Sequence, residues 1–381
     1  MTAVWYSIRQ FTRALGLFLQ DFLLIAALVG IVCALSYLHS LRNTPSASER
    51  EPIAPSLPVG WRAIQESEGL RDDNVMRVAE VDSDAVLLSC ESGFCLWTDG
   101  QITSFDAFNK KLFYKSAEEM MPDGAGGVWV TLDKKRDSLV TAFGVWHFDG
   151  TKFRKVRELT CCALTAVRGE PPAAWASDRW SGELVRVELT PGSSRDVSVR
   201  KLGDECVAII ADAEKRVWFF KDDSFGWFSG DEQVDFADGA EELRNYPGRI
   251  RNVDVLVGSN GLGFFCWSIA HGAAYTWNGL GPWQEHASLW DALKENEGAL
   301  IRMGAVRNSE LWAVSEARVI ALNKVLHEGE WQEIPALGHL GPLGINRILV
   351  RQNGEIWLAT RGAGVLVCDS VDDLLNRHTE P

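Results

Sequence analysis

Residues 353–369 read NGEIWLATRGAGVLVCD, a polar turn followed by two apolar runs that a glycine-containing turn separates. Short apolar runs bounded by such turns are typical of antiparallel β-strands. A lone hairpin cannot bury the indole of Trp357, because a two-stranded sheet leaves both of its faces open. The segment therefore predicts a larger β-structure in which Trp357 packs against a neighbouring sheet.

Segments similar to this hairpin recur along the chain at a nearly constant interval. Each centres on a large apolar residue, which we call the anchor, and the anchors are Leu87, Trp129, Trp175, Trp218, Phe265, Trp312 and Trp357. The intervals between successive anchors are 42, 46, 43, 47, 47 and 45 residues. Each period also contains one apolar run before the anchor strand and two short runs after it, which makes four short strands. Four strands in about 45 residues are typical of a β-propeller blade, so residues 59–370 predict an all-β, seven-bladed β-propeller.

The last period ends after its third strand, near Asp369, so one strand of the ring must come from elsewhere in the chain. Trp61 precedes Val75 by 14 residues, and Trp331 precedes Ile345 by the same 14 residues. Residues 60–66 are therefore predicted to supply the fourth strand of the last blade. Such a strand would close the ring and leave no major free edge.

The N-terminal region has a different composition. Phe22 to Leu38 is a run of 17 uncharged residues, which as a helix would span about 26 Å, close to a bilayer core of roughly 30 Å. Residues 15–40 are therefore predicted to form a transmembrane helix that acts as a signal anchor. A cleaved signal peptide and a buried helix are the alternatives. Residues 41–58, rich in Pro, Ser and charge, predict a flexible linker, and residues 371–381 a C-terminal tail.

Charge indicates the location and excludes one class of partner. Arg9 and Arg13 precede the apolar run, which favours a cytoplasmic N-terminus over residues 1–14. The protein is then predicted to lie in the cell membrane with a single span and with its propeller outside the cytoplasm. The formal net charge of the 381 residues is −14, and an acidic surface repels nucleic acid. No nucleic-acid partner is expected.

The last period also resembles a known repeat. GINRILVRQNGEIWLATRGAGVLVCD, residues 344–369, is similar to the two-component regulator propeller repeat, whose pattern is N-x-V, D-x-x-G-x-x-W-x-x-T and G-G-L. GGVWVT at 126–131 and residues 73–97 match it in part, whereas Glu214 and Lys215 replace the turn glycine before Trp218. The resemblance implies an extracytoplasmic sensor domain. Propellers of that family are often joined to a kinase. Residues 1–381 are not expected to contain a kinase, so a sensor of this kind would signal through a partner protein.

One alignment of the periods points to a binding site. Arg77, Arg302 and Arg347 each lie ten residues before an anchor, and Glu119 has this position in the second period. The arginines belong to the first, sixth and seventh blades, which are neighbours in a closed ring. Because innermost strands line a propeller's channel, they predict a cationic sector that would suit a carboxylate, sulfate or phosphate. The alternative is an internal belt of salt bridges with acidic partners, namely Glu119, Glu80 and Glu118.

The loops between second and third strands are expected to frame one mouth of the channel. They contain aromatic and charged residues that could bind a saccharide or a peptide, although surface turns often have this composition. These loop candidates are Arg179, Trp180, Lys221, Asp222, His271 and Arg361.

The remaining polar chemistry is sparse. Cys90 and Cys95 flank the turn ESGF and could bridge a hairpin, or they could be small buried hydrophobic residues. Their disulfide state and that of the adjacent Cys161 and Cys162 stay open at this stage. We find no metal-binding motif, no phosphate-binding loop and no nucleophile elbow. No cofactor, metal or catalytic residue is therefore predicted, and recognition is favoured over catalysis.

These features predict a membrane-anchored recognition or sensor-type propeller that acts without catalysis. Its partners would be an anionic small molecule, a saccharide, or a signalling or envelope protein. Two alternatives stay open, a hydrolase or lyase that acts on polysaccharide and a scaffold subunit of an envelope complex. A convergent acid and base in the channel mouth would favour the enzyme, and a broad apolar face would favour the scaffold.

Overall fold

The computed structural model describes most of the region after residue 60. The described residues are 57, 60–105, 117–132, 144–159, 161–167, 172–178, 181, 183–190, 193–201, 206, 208–212, 214–221, 223–236, 240, 242, 245–247, 250–258, 261–268, 273–277, 282–288, 302–307, 310–314, 319–323, 331–333 and 343–369. The predicted membrane helix at 15–40, nearly all of the linker and the tail at 371–381 lie outside these ranges. Within them, no helix is long and apolar enough to span a bilayer.

The described strands form seven four-stranded antiparallel sheets, which we number I to VII. The first strand of the chain, β1 (Trp61–Ile64), belongs to the last sheet, VII. Sheet I consists of β2 (Val75–Asp82), β3 (Ala85–Cys90), β4 (Gly93–Thr98) and β5 (Gln101–Ser104). Sheet II consists of β6 (Glu119–Pro122), β7 (Val128–Leu132), β8 (Gly144–Phe148) and β9 (Phe153–Arg157). Sheet III consists of β10 (Cys161–Val167), β11 (Ala173–Asp178), β12 (Glu183–Thr190) and β13 (Ser193–Lys201).

The other sheets repeat this order. Sheet IV consists of β14 (Ala208–Ala211), β15 (Val217–Phe220), β16 (Phe225–Ser229) and β17 (Glu232–Phe236). Sheet V consists of β18 (Ile250–Gly258), β19 (Gly261–Ser268), β20 (Ala273–Trp277) and β21 (Gln284–Ser288). Sheet VI consists of β22 (Arg302–Arg307), β23 (Glu310–Val314), β24 (Val319–Asn323) and β25 (Trp331–Glu333). Sheet VII has the order β1, β28 (Val365–Cys368), β27 (Ile356–Thr360) and β26 (Ile345–Val350). The only other element with defined bounds in the described ranges is a 3-10 turn, Glu66–Glu68, so the predicted all-β class is confirmed.

The second strand of each sheet explains the apolar runs of the sequence. Strands β3, β7, β15 and β27 are buried at every position. A strand that is covered on both faces needs a nearly continuous apolar run rather than an alternation of apolar and polar residues. Runs such as AVLLSC and IWLAT satisfy this requirement.

The anchor residues show how the sheets hold together. Each anchor whose side chain is described is buried and shares an apolar cluster with residues of the next sheet. These pairs are Leu87 with Val128, Trp129 with Leu164, Trp175 with Phe228, Trp218 with Trp277 and Trp357 with Val75. A buried aromatic side chain removes about 150–250 Å² from water. The recurrence of one large residue in every period is therefore the recurrence of one contact between sheets.

The first strands of the sheets contact one another in a closed order. Strand β2 contacts β6, and the series continues through β10, β14, β18 and β22 to β26, which again contacts β2. Sheet VII combines both ends of the described region, because β1 pairs with β28. In this pairing Trp61 lies opposite Cys368 and Ile64 lies opposite Val365. The sheet whose own hairpin ends at β28 thus receives its fourth strand from residues 61–64.

A glycine allows this fourth strand to dock. Gly364 has a φ of +73°, a left-handed conformation that residues with a Cβ rarely adopt. A Cβ at this position would also collide with the carbonyl oxygen of Ile64. The glycine of the turn before β28 is therefore required for the close approach of β1.

Sheets VII and I are also joined by a buried arginine. The Arg351 guanidinium, whose side chain is 2% exposed, lies 3.3 Å through Nε from Glu80 Oε1 and 2.5 Å through Nη1 from Glu355 Oε2. Its Nη2 donates to the carbonyl oxygen of Ser83. The Gln352 amide donates to Glu80 as well, at 3.2 Å from Oε2. Sheets I and VII are the first and the last of the series. Strand β1 and Arg351 both link segments from the two ends of the chain at this junction, so they fasten the ends of the series together.

The closing strand gives a stability prediction. The side chain of Ile64 is buried with Trp357 and Val365, whereas the side chain of Arg62, on the same strand, is 44% exposed. Ile64→Ala should lower the free energy of unfolding by about 2–5 kcal/mol through the cavity that it leaves. Arg62→Ala should lower it by about 0–1 kcal/mol. Urea unfolding followed by tryptophan fluorescence measures both values, and equal losses would show that β1 contributes little to closure.

Candidate functional site

The strand register places the predicted channel residues at one level. Arg77 lies opposite Ser89, Arg347 opposite Ala359, Arg302 opposite Val314 and Glu119 opposite Thr131. In every pair the partner is the second residue after the anchor. The four residues therefore have the same height on sheets VI, VII, I and II, whose first strands contact one another in that order.

Arg77 bridges two sheets through backbone groups. Its half-buried guanidinium donates from Nε to the carbonyl oxygen of Glu118 at 2.9 Å and from Nη1 to that of Met76 at 2.9 Å. Glu118 directly precedes β6, so the side chain crosses from sheet I to sheet II. Of the acidic partners that the sequence suggested, Glu80 instead pairs with Arg351.

Arg347 and Glu119 have no described partner of opposite charge. Both side chains are half-buried. Among the described residues, no carboxylate oxygen lies within 4.0 Å of the Arg77 or Arg347 guanidinium, and no cationic nitrogen lies within that distance of Glu119. Only the backbone of Arg302 is described, so its side chain cannot be compared with the other three. The level therefore contains at least one guanidinium that a described carboxylate does not neutralise.

The two described loop candidates, Lys221 and Arg361, lie at the same end of their sheets as these residues. In an antiparallel sheet, the loop after the second strand leaves from the end at which the first strand begins. Arg361 follows β27 and is exposed, while its amide donates to Leu343 O at 3.1 Å. Lys221 follows β15, and its carbonyl oxygen accepts a 2.6 Å hydrogen bond from the Tyr246 hydroxyl. Arg179, Trp180, Asp222 and His271 lie outside the described residues.

An acidic loop at this end was missed by the sequence reasoning. Asp72 accepts from the amides of Asn74 and Ser92, at 2.9 and 2.8 Å, and Asn74 Nδ2 donates to Glu91 at 2.6 Å. The carbonyl oxygen of Asp73 accepts from the amides of Gly362 and Gly364, each at 2.9 Å. The loop thus joins sheet I to sheet VII beside the arginine level. The consecutive Asp, Asp and Asn before β2 were the available signal, because these side chains favour capping of turns.

Asp73 is the titratable group of this loop whose environment is unusual. Burial raises the pKa of its carboxyl above the ordinary value. The amide of Glu66, 2.6 Å from Oδ1, opposes this shift, and the neighbouring charge of Asp72 adds to it. The folded protein therefore favours the neutral form of Asp73 more than an unfolded chain does.

A buried acid and base pair lies at the other end of sheet II. Asp123 Oδ2 lies 2.8 Å from His147 Nε2, and both side chains are buried. Asp123 also accepts from the amides of Ala125 and Gly127. Burial would raise the pKa of Asp123, but the hydrogen bonds from His147 and from these amides outweigh burial and lower it. The pair therefore caps the turn between β6 and β7. Across the described ranges, no group of three or more His, Cys, Asp or Glu residues could hold a metal ion.

Comparisons with solved structures identify the fold. YCF48 bound to a D1 peptide aligns with a TM-score of 0.56 at 11% identity, over 81% of this chain and 96% of that chain. A virginiamycin B lyase from Staphylococcus aureus, crystallised with quinupristin, aligns at 0.55 and 13% identity, over 81% of this chain and 98% of that one. The extracellular domain of a hybrid two-component system from B. thetaiotaomicron aligns at 0.57 and 12% identity, over 85% of this chain and 42% of that longer one.

The chain has a β-propeller fold. At these identities the likeness extends to the fold alone. No family model matches the chain, and no curated protein matches it. The neighbours include two extracellular domains of hybrid two-component systems, in agreement with the propeller class that the sequence indicated. They also include lyases, so the fold does not by itself separate recognition from catalysis.

The environment of Asp73 gives a pH prediction. Because its pKa is raised in the folded state, ionisation of this carboxyl opposes folding increasingly as the pH rises from about 4 through that raised pKa, and the cost is constant above it. Asp73→Asn removes that cost and keeps an oxygen acceptor for the Glu66 amide. The melting temperature of this variant relative to wild type should therefore increase between about pH 4 and pH 7.

The control is Asp231→Asn, which removes one negative charge from an exposed turn. Differential scanning fluorimetry across the pH range compares the three proteins. A difference between Asp73→Asn and wild type that stays constant with pH would contradict the assignment.

Proposed function

We propose that this protein is a membrane-anchored recognition protein of the sensor type. Residues 15–40 anchor it, and a seven-bladed propeller outside the cytoplasm binds an anionic ligand without catalysis. Arg77, Arg302 and Arg347 supply the cationic sector of the site, and Arg361 and Lys221 belong to its rim. A partner protein would bind to the same arginines through an acidic group on its surface.

The observation that carries the proposal is the half-buried Arg347, which has no described carboxylate within 4.0 Å. Arginines at one level of neighbouring strands repel one another unless anions lie nearby. Arginine also binds carboxylate, sulfate and phosphate groups through two parallel hydrogen bonds. An external anion is therefore the natural partner of this guanidinium.

The blade count rests on the arrangement of the sheets. Seven sheets of four strands and a closed series of contacts between first strands support a ring of seven blades. The pairing of β1 with β28 supports a ring that is fastened by its N-terminal strand. A closed ring brings sheets VI, VII, I and II together, as the cationic sector requires.

Recognition agrees with what some fold neighbours do. One neighbouring structure shows YCF48 with a bound D1 peptide, and two others are extracellular domains of two-component systems. The resemblance of residues 344–369 to the two-component regulator propeller repeat favours the same class. An enzyme would need an acid and a base at the mouth, and the buried pair of Asp123 and His147 is committed to a turn at the opposite end.

The first functional prediction concerns Arg347. Purified protein is titrated by calorimetry with sodium sulfate, sodium phosphate and an oligogalacturonate, and at least one of these anions should bind. Arg347→Ala should weaken that binding by about 1.5–3 kcal/mol, the usual contribution of a hydrogen bond to a charged group. The fold should persist because the side chain is only half-buried.

Arg62→Ala is the matched control, since it removes an arginine from the outermost strand of the same sheet. It should leave the affinity unchanged. Both variants lose one positive charge, so their net charges are equal. Equal affinity of both variants, or no binding of any of the three anions, would refute the cationic sector.

The second functional prediction concerns orientation. Alkaline phosphatase, which is active only outside the cytoplasm, is fused after Pro381, and green fluorescent protein is fused at the same position in a second version of the protein. The phosphatase fusion should be active, because the basic residues before the apolar run favour a cytoplasmic N-terminus. An inactive phosphatase fusion together with a fluorescent second fusion would place the propeller in the cytoplasm and overturn the sensor proposal.

A further inference from the structure

Two cysteines lie on one face of the hairpin that β3 and β4 form in sheet I. Cys90 is the last residue of β3, and Cys95 lies on β4. Cys90 lies opposite Gly93, and Cys95 lies opposite Leu88. Since Gly93 and Cys95 are two residues apart, both cysteine side chains point to the same face and are diagonal neighbours across the two strands. Both are free thiols that are buried in one apolar cluster.

The two sulfurs differ in chemistry. The hydrogen bond between the thiols contributes most, raising the pKa of Cys90 and lowering that of Cys95 to about 7. Burial opposes the shift of Cys95, while the hydroxyl of Ser104 and the neighbouring Arg71 support it. Of the two sulfurs, Cys95 therefore forms the thiolate, the reactive form of cysteine, more readily than Cys90.

The hairpin end provides a route to the surface. The Sγ atom of Cys95 lies 3.6 Å from Oγ of Ser104, an exposed residue of the outer strand β5. The turn between the cysteines is covered by the side chain of Arg71, whose Nε donates to Ser92 O at 3.1 Å. This side chain also lies where a Cβ on Gly93 would meet it, with Cδ and Nε at 3.1 Å. Movement of one arginine side chain would uncover the turn.

The geometry points to a reversible disulfide between Cys90 and Cys95, formed by exchange with a disulfide-bearing oxidant. The Cys95 thiolate attacks one sulfur of the oxidant's disulfide and releases the other sulfur as a thiolate. Cys90 then loses its proton to that thiolate and attacks the Cys95 sulfur, which releases the second sulfur of the oxidant as a thiolate. Two electrons pass from the cysteines to the oxidant, and no other reactant is needed.

This disulfide would fix the loop that precedes β2. The turn between the cysteines holds Asp72 and Asn74 through Ser92 and Glu91. A covalent bond across its base would restrict the separation of β3 and β4 at this end. The inference concerns the thiols alone and does not depend on anion binding.

The test exposes the reduced full-length chain to mixtures of reduced and oxidised glutathione, followed by alkylation and digestion with trypsin. Trypsin cleaves after Arg77 and Lys110, so the peptide 78–110 contains Cys90 and Cys95 and no other cysteine. This peptide should become two hydrogens lighter and resist alkylation, and later reduction should restore two alkylation sites. Cys206, a buried thiol that donates to Ala208 O at 3.0 Å, is the internal control.

Single variants assign the attacking thiol. Cys90→Ser should trap glutathione on Cys95 rapidly, whereas Cys95→Ser should be modified much more slowly. Arg71→Ala keeps both cysteines, so it remains informative if a cysteine variant does not fold, and its peptide 78–110 should still become two hydrogens lighter. Two alkylated thiols in peptide 78–110, at a glutathione ratio that already modifies Cys206, would overturn the inference. Equal trapping in the two single variants would overturn the assignment of Cys95.

Discussion

The buried guanidinium of Arg351 is the contact on which closure of the molecule depends. Its bonds to Glu80 and Ser83 join residues that are about 270 positions apart in the chain. A charge removed from water is tolerated only where its donors find acceptors, and Arg351 has two carboxylates and a carbonyl oxygen. Its carbon Cζ also lies 5.5 Å from the ring of Trp97 and 5.6 Å from that of Trp357. The anchor of the last sheet and the ion pairs of the junction therefore stabilise one another.

The same turn occurs in other sheets with its charges exchanged. In sheet IV, Asp212 lies six residues before the anchor and binds Arg216, two residues before the anchor, at 2.6 Å. In sheet VII, Arg351 has the first position and Glu355 the second. In both turns the acidic residue accepts the indole N–H of the anchor, at 2.8 Å from Trp218 and 3.1 Å from Trp357. In these two turns a carboxylate lies within reach of the indole, and either position supplies it.

This exchange shows what the sequence could and could not predict. The period of the anchors predicted the all-β class, because one large apolar residue per sheet is needed at each contact between sheets. The spacing of Trp61 placed an outer strand where β1 pairs with β28. The role of Arg351 was not predicted, since an arginine in place of the repeat's aspartate looks like a lost motif in a linear comparison. Its partner Glu80 belongs to a sheet at the other end of the chain and was instead considered a partner of the channel arginines.

The candidate site was only partly predictable for a related reason. Equal spacing from the anchors placed Arg77 and Arg347 at one level, but spacing contains no information about what each guanidinium binds. Arg77 satisfies donors with the carbonyl oxygens of Met76 and Glu118, because the adjacent strand β6 begins within its reach. Arg347 has the same register and lacks a comparable described acceptor. Two arginines that are equivalent in the repeat thus differ in their described contacts, and only Arg77 links neighbouring sheets through backbone carbonyl oxygens.

Under the proposed function, the acidic loop beside this level affects which anions can approach. Asp72 and Glu91 use carboxylate oxygens to bind backbone amides and Asn74, so these charges are fixed at the rim rather than free to neutralise Arg347. At a distance they repel an anion, and salt weakens that repulsion with a Debye length of about 8–10 Å. At contact distance the guanidinium dominates, because two parallel hydrogen bonds to an anion are short and directional. A ligand that combines an anionic group with hydrogen-bond donors for the rim would satisfy both parts of the site, whereas a simple anion would satisfy only one.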